Sequence, residues 1–231
     1  MSLLKFALIG RDISHSLSPE IYQRLISQPH TYDLIDCASA DAVPSVTELA
    51  QTYTGINITA PWKEIFFPYA DPASREWGAV NCLRFQDGTA MATNTDALAL
   101  QELIPKVTEV FKGHEFVILG DGVMSKVFMK ILESLGLPGV VRSRKKGDDI
   151  SRANFSNDDK GSRTIIVNAC SRSFEFQGQL GAGCVFWDLN YRHLAHAKNA
   201  STQGWTYIDG YELLETQAKY AVKFWMLEKS N

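Results

Sequence analysis

Short apolar runs alternate with helical patterns along almost the whole chain, and this alternation constrains the fold more than any other feature. Apolar strands are predicted at residues 5–9, 31–35 and 55–58, with helices over 18–26 and 41–51 between them. Strands that alternate with helices form parallel sheets, because each helix carries the chain back to the same end of the sheet. The start of the chain therefore predicts a β-α-β-α-β unit.

The first of these helices has a marked beginning. Ser18 can cap it, and Pro19 suits its first turn, where a missing N–H costs no hydrogen bond. Ile21, Leu25 and Ile26 then form an apolar stripe that would face the sheet.

The pattern changes near the middle and then begins again. Residues 79–85 and 89–93 flank the turn dipeptide Asp87-Gly88 and predict a hairpin, which a helix over 95–104 follows. A boundary near 105–113 separates domains at 1–104 and 105–210. The remaining predicted elements are strands at 115–119, 139–143, 164–168, 185–189 and 205–207, helices at 124–135 and 211–227, and a short helix with loops in 145–163.

Charge and cysteine content limit the partners. The 23 Lys and Arg against 26 Asp and Glu give a net charge of -3, which argues against nucleic acid or an anionic membrane as partner. The four cysteines lie far apart without a C-x-x-C pair, so we expect free thiols and no metal site. No secretion signal or stretch of about 20 apolar residues is present, and a reducing cytoplasm is the expected location.

A glycine turn follows the strand at 115–119 and opens the next helix. Such a turn lets a pyrophosphate approach backbone N–H groups, although a plain strand-to-helix turn has the same form. One strand later a basic run replaces the acidic residue that holds an NAD ribose, which favours the 2′-phosphate of NADP over a merely solvated loop. The predicted cofactor-binding residues are Gly120, Asp121, Gly122, Val123, Ser125, Ser143, Arg144 and Lys145.

Polar motifs follow several strands of the first half, at the sheet edge where open α/β folds bind ligands. Asn57 lies near the end of the strand at 55–58, Thr59 and Lys63 follow it, and Asn94-Thr95-Asp96 follows the hairpin. Each motif alone is more typical of a cap or turn, but together they predict a polar site.

These motifs, in this order, resemble those of shikimate dehydrogenases, including the quinate/shikimate dehydrogenase type. The motifs that carry the resemblance are His15-Ser16-x-Ser18-Pro19, Asn57-x-Thr59-x-Pro61-x-Lys63-Glu64, Ala79-Val80-Asn81, Asn94-Thr95-Asp96, the glycine turn, Ser143-Arg144 and Gln217-Ala218.

The resemblance implies two α/β domains, an N-terminal substrate-binding domain and a C-terminal Rossmann-like NADP-binding domain, with the final helix, 211–231, returning to the first. It implies NADP-dependent reversible reduction of 3-dehydroshikimate to shikimate, a step of chorismate and aromatic amino acid biosynthesis, by a monomer or homodimer. Lys63 and Asp96 would be the catalytic pair: Lys63 could donate a proton to the ketone oxygen while Asp96 orients its ammonium, although a structural ion pair is the simpler alternative. The implied substrate-binding residues are Ser16 and Ser18 for the carboxylate, Thr59, Asn81, Tyr191 and Gln217 for the ring hydroxyls, and Asn57 in support.

Departures from the family pattern fall mainly in the second half. Asp121 stands where Ala is usual and would repel a diphosphate, and Val123 lacks the backbone freedom of the usual Gly, so weak NADP binding is expected. Two alternatives remain open: a paralogue that acts on quinate or another cyclic hydroxy acid, and a non-catalytic binder of shikimate-like metabolites. Retention of Lys63 with Asp96 speaks against the binder.

Overall fold

The computed structural model describes residues 3–86, 88–155 and 163–225, which divide between two units. The first unit comprises the described residues of Met1–Ala99 and Glu215–Asn231, and the second is Leu100–Leu214. The predicted α/β class is confirmed, because each unit is built on a five-stranded sheet with a parallel core. None of the described helices combines the length and the apolar character that a bilayer crossing requires.

The first unit begins with the predicted β-α-β-α-β arrangement, which then gains an antiparallel hairpin. Its sheet has the order β2-β1-β3-β4-β5, in which β1, β2 and β3 are parallel. The elements are β1 Leu4–Gly10, α1 Ser18–Leu25, β2 His30–Asp36, α2 Val46–Thr52, β3 Gly55–Ile58, β4 Cys82–Gln86, β5 Thr89–Thr93 and α3 Thr95–Val110.

The helix predicted at 41–51 is shorter than expected. A 3-10 turn over Ala40–Ala42 precedes it, and α2 begins only after Pro44, with Ser45 as its N-cap. The Ser45 hydroxyl accepts the N–H of Glu48, whose carboxylate accepts the N–H of Ser45 in return. Proline disfavours a helical conformation in the residue before it, and this capping box then provides a better start.

The second unit restarts the alternation and forms a parallel sheet in the order β12-β11-β9-β6-β7. A two-stranded pair, β8 with β10, lies outside this sheet. The predicted turn residue Asp87 and residues 156–162 lie outside the described residues, as do the last positions of the predicted final helix. The elements are β6 Glu115–Leu119, α4 Val123–Ser134, β7 Gly139–Arg142, β8 Asn154–Phe155, β9 Thr164–Asn168, β10 Gln179–Leu180, β11 Val185–Asp188, α5 Leu194–Gln203, β12 Thr206–Ile208 and α6 Tyr211–Trp225.

The chain passes between the units within α3 and again within α6. The end of α6 is fixed to the first sheet by Trp225, whose indole N–H donates to the Leu83 carbonyl at 2.8 Å and whose ring stacks on Phe6. The approach requires glycine at position 55, since a Cβ there would clash with the indole nitrogen. This anchorage brings Gln217 into the first unit.

Candidate active site

Strand direction brings the polar motifs of the first unit to one edge of its sheet. β1 and β3 are parallel, so both end at this edge, where Thr59 N–H donates to the Ile9 carbonyl at 2.8 Å. β4 runs the other way and begins there, directly after Asn81, while β5 ends there before Asn94. The edge therefore collects chain segments from four different strand ends.

Lys63 and Asp96 form an ion pair at this edge. Lys63 lies in a short 3-10 helix after β3, and Asp96 lies in the first turn of α3. The lysine Nζ is 2.5 Å from Asp96 Oδ2, and the two side chains are 16% and 13% exposed. The pair is thus shielded from bulk water but can be reached by a ligand. A lysine held by a carboxylate in this way can donate a proton to a bound oxygen as its ammonium and accept one from it as its neutral amine.

Three carboxamides that the sequence analysis assigned to substrate binding lie in the same unit and are almost fully buried. Asn57 Oδ1 accepts the Tyr32 hydroxyl at 2.8 Å, and Asn57 Nδ2 faces the Asn81 carbonyl at 3.4 Å. Asn81 and Gln217 both direct their side-chain oxygens to Thr95. The buried amide groups are therefore part of one hydrogen-bonded set.

Tyr32 and Thr95 were not predicted as part of the site. Thr95 could have been singled out, because it stands between the two motif residues Asn94 and Asp96. Tyr32 gives no such signal, since it lies on β2, 25 positions before its partner Asn57. The pairing of β2 with β1, which also pairs with β3, brings the Tyr32 side chain within reach of Asn57.

Ser16 lies just before α1, and Ser18 is the first residue of that helix. Their hydroxyl oxygens are 3.1 Å apart, and the Ser18 N–H donates to Ser16 Oγ at 3.2 Å. The prediction that Ser18 caps the helix is wrong, because the helix begins at Ser18 itself and the N-cap is Leu17, which has no side-chain cap. Two adjacent hydroxyls beside a helix N-terminus suit a carboxylate, which accepts hydrogen bonds and is favoured by the helix dipole.

The glycine turn of the second unit lies between β6 and α4. Gly120 needs to be glycine: its φ is +106°, and a Cβ there would lie 3.1 Å from Cys170 Sγ. Burial raises the pKa of Cys170 to about 11, although Arg144 opposes the shift, so this thiol is uncharged at neutral pH. A Cβ on Gly122, the N-cap of α4, would meet nothing within 4 Å.

The residues after Gly122 fit a diphosphate better than their sequence suggested. Val123 is the first residue of α4 and does not have a positive φ, so the expectation that it restricts the turn is wrong: helical φ values are open to valine. Ser125 is 1% exposed, and its hydroxyl has no hydrogen-bond partner within the described part of the chain. Open space, a helix N-terminus and an unsatisfied hydroxyl together form a suitable site for phosphate oxygens.

The basic residues at the end of β7 and after it differ in their contacts: some interact with neighbouring side chains, and one is exposed without an ion pair among the described residues. Lys145 Nζ lies 3.5 Å from Asp121 Oδ2, so the carboxylate that was expected to repel a diphosphate has a cation beside it. Arg142 lies over the Phe155 ring, with its guanidinium carbon 5.1 Å from the ring centroid. The buried Ser143 hydroxyl accepts the Lys146 N–H at 3.3 Å. Arg144 is exposed and forms no ion pair within the described residues.

Tyr191 belongs to the second unit, whereas the other predicted substrate residues belong to the first. Its ring lies under Arg172, with the guanidinium carbon 5.2 Å from the ring centroid, and its carbonyl accepts from Arg172 Nη1 at 2.9 Å. Its role in substrate binding remains a prediction.

The buried Asp188, His193 and His196 resemble a metal-binding cluster, but their hydrogen bonds occupy the ligand atoms. His196 Nδ1 is 2.6 Å from Asp188 Oδ2, and its Nε2 accepts the Phe176 N–H at 2.8 Å. His193 Nδ1 accepts the His196 N–H, and its Nε2 contacts the Arg172 carbonyl at 3.0 Å. All four ring nitrogens thus have partners, and the cluster ties α5 to β11.

Comparison with known proteins agrees with this geometry. Residues 8–83 match the family described as shikimate dehydrogenase substrate binding domain. The shikimate dehydrogenase (NADP(+)) of Exiguobacterium sp. is 25% identical over 96% of this chain and 92% of its own, and that of Saccharolobus solfataricus is 28% identical over 95% and 88%.

A solved structure shares the fold along nearly the whole chain. It is shikimate 5-dehydrogenase from Thermus thermophilus in complex with NADP(H) and shikimate, with a TM-score of 0.75 and 20% identity over 99% of this chain and 95% of that one. The motifs at the sheet edge, the two-unit α/β architecture and these similarities agree: the chain is similar to shikimate dehydrogenases along nearly its whole length, and its residues 8–83 match their substrate-binding domain.

Proposed function

We propose that this protein is an NADP-dependent shikimate dehydrogenase that reversibly reduces 3-dehydroshikimate to shikimate. The observation that carries the proposal is the shielded Lys63–Asp96 pair, which lies among buried carboxamides at one edge of the first sheet. Relatives that match nearly the whole chain have this activity in their names, which supports the assignment.

The chain's own residues can perform the proton transfer. Reduction of a ring ketone adds a hydride to carbon and a proton to oxygen; NADPH, when bound, supplies the hydride. The Lys63 ammonium donates the proton to the carbonyl oxygen and becomes a neutral amine, and Asp96 holds the lysine in place. In the oxidative direction the amine accepts the hydroxyl proton, so one residue serves both directions.

Two sets of side chains would bind the two kinds of polar group on the substrate, its carboxylate and its ring hydroxyls. The Ser16 and Ser18 hydroxyls would hold the carboxylate, whereas Thr59 and the carboxamides of Asn57, Asn81 and Gln217 would hold the ring hydroxyls. Because the carboxamides are buried and already hydrogen-bonded, their orientation is set before the substrate arrives. Such preorganisation lowers the cost of ordering the site on binding.

The second unit would hold NADP. The N-terminus of α4, the open space at Gly122 and the Ser125 hydroxyl suit the diphosphate, while Arg144 and Lys145 suit the 2′-phosphate. A dianionic phosphate gains charge-assisted hydrogen bonds from these cations that a ribose hydroxyl cannot match. Preference for NADP over NAD is therefore part of the proposal.

The four free thiols favour a reducing cytoplasm as the location of the protein. We expect the protein to be a monomer or a homodimer.

The experiment is a steady-state assay of the purified chain with shikimate or quinate as reductant, each with NADP or NAD. The proposal expects the highest kcat/KM for shikimate with NADP. A higher value with quinate would make the protein the paralogue that the sequence left open. Calorimetric binding of shikimate without turnover in any combination would contradict an enzymatic role and indicate a metabolite binder.

A further inference from the structure

Thr95 contacts two of the carboxamides that the proposed function assigns to the substrate, and this contact gives it a role of its own. Its N–H donates to Asn81 Oδ1 at 2.6 Å, and its hydroxyl oxygen is 3.1 Å from the same atom and 3.1 Å from Gln217 Oε1. Asn81 belongs to the segment before β4, whereas Gln217 belongs to α6. Thr95 is fully buried, so water cannot replace these bonds.

Counting hydrogens decides how these bonds are shared. A backbone N–H can only donate, so the Asn81 atom that faces it must be the oxygen, and this contact fixes the orientation of the Asn81 carboxamide. The Thr95 hydroxyl carries a single hydrogen, which cannot serve two acceptors fully. Asn81 Oδ1 accepts the N–H at 2.6 Å and keeps that donor without the hydroxyl, so we assign the hydroxyl hydrogen to Gln217 Oε1.

We propose that Thr95 is a positioning residue for substrate binding: its hydroxyl holds the Gln217 carboxamide so that the amide nitrogen is directed to a substrate hydroxyl. This inference rests on the proposed function. Without the hydroxyl, the two ends of the Gln217 carboxamide have no preferred arrangement at Thr95, and a buried oxygen loses one hydrogen-bond donor. Asn81 would keep its orientation, because the backbone N–H of residue 95 remains.

The test uses Thr95→Val, which removes the hydroxyl but keeps the branched shape, and Thr95→Ser, which keeps the hydroxyl. Thr93→Val is the matched control, because Thr93 is a buried threonine of the same segment whose hydroxyl contacts Ser74 rather than a carboxamide of the site. The Kd for shikimate is measured by calorimetry without cofactor, together with KM and kcat. Thr95→Val should weaken binding and raise KM about ten-fold, whereas Thr95→Ser and Thr93→Val should change both less than about three-fold.

Double variants separate positioning from a general structural effect. Thr95→Val should add little to the loss already caused by Gln217→Ala, because both remove the same contact with substrate, but it should add fully to the loss caused by Asn81→Ala. Equal additivity with both, or shikimate binding by Thr95→Val as tight as that of the native protein, would overturn the inference while leaving the proposed function intact.

Failure of the proposed function gives a different result. If the native protein does not bind shikimate, the assignment of the site fails and the inference fails with it. If Thr95→Val does not fold, as judged by its circular dichroism, Thr95→Ala removes the same hydroxyl without placing a methyl group at its position, and the same expectations apply to it.

Discussion

Among single residues, Lys63 matters most to the proposed reaction, because it supplies the proton. Lys63→Ala should lower kcat by roughly a hundred-fold to ten-thousand-fold, the range for loss of a general acid, because no other group of the pair can supply the proton. The Kd for shikimate should change much less, since the proton is needed in the transition state and not for binding. Initial rates and calorimetry on the same preparation measure the two effects.

A matched control separates loss of chemistry from loss of an ion pair. Lys106 forms a pair with Glu102 at 2.7 Å in the exposed part of α3, so Lys106→Ala removes a lysine ion pair far from the sheet edge. It should leave kcat within about two-fold of the native value, because exposed pairs contribute little. A native-like kcat in Lys63→Ala would remove this lysine from the mechanism.

The two serines should affect binding more than turnover. Ser16→Ala and Ser18→Ala should each raise KM about ten-fold or more, the loss for one hydrogen bond to a charged group (roughly 1.5–3 kcal/mol), while kcat changes little. Since Ser18 is not the cap of α1, its variant should retain the native melting temperature to within a few degrees. An unchanged KM in both variants would place the substrate carboxylate elsewhere.

The sequence predicted more of the site's members than of its internal contacts. Asn57 and Asp96 were found because polar motifs stand at strand ends, which collect at one edge, whereas Asn81 came from the resemblance to known enzymes. Tyr32 and Thr95 were missed because their importance lies in what they touch: a tyrosine on an edge strand and a threonine at a helix start are ordinary in sequence. Such contacts depend on register and rotamer, which periodicity does not encode.

At the scale of elements, the glycine turn and its helix give a prediction for the cofactor. Asp121→Ala should tighten NADP binding about two-fold to five-fold at low salt, because it removes a carboxylate near the diphosphate and leaves Lys145 without a competing partner. Val123→Gly should bring no such gain, since the first residue of α4 has no need of glycine's backbone freedom. Calorimetric titration with NADP measures both.

Salt supplies the control for this prediction. If the advantage of Asp121→Ala is electrostatic, it should shrink as ionic strength rises, because exposed charges are screened within about 10 Å at 0.1 M salt. A gain that persists at high salt, or a gain in Val123→Gly alone, would show that the shape of the turn rather than its charge limits NADP binding.

Most predicted elements have the expected type, although helix α5 was not predicted, and two errors in helix limits lie at prolines. Pro44 delays α2, whereas Pro105 fails to end α3, which continues to Val110 although the prediction ended it at 104. Proline removes one N–H and disfavours helix before it, but packing can outweigh this cost. Leu100, Leu103 and Ile104 of α3 are all buried, so tertiary contacts hold the helix through the proline.

At the scale of the whole molecule, the chain leaves its first unit through α3 and returns to it through α6. The parallel pairing of the strands follows from the alternation in the sequence, but the return of α6 came only from the resemblance to known enzymes. Its physical basis is the fit of Trp225 over Gly55 and its bond to Leu83, contacts between residues that are far apart in the chain. The domain limits predicted at 1–104 and 105–210 remain a prediction for the functional division.

The most direct test of the central claim follows the transferred hydrogen. Shikimate that carries deuterium on the ring carbon of its 3-hydroxyl is incubated with the purified chain and NADP, and the reduced cofactor is analysed by mass spectrometry. We expect one deuterium in the cofactor for each shikimate oxidised, and almost none with Lys63→Ala over the same time. Native protein that binds shikimate and NADP but transfers no deuterium would contradict the account.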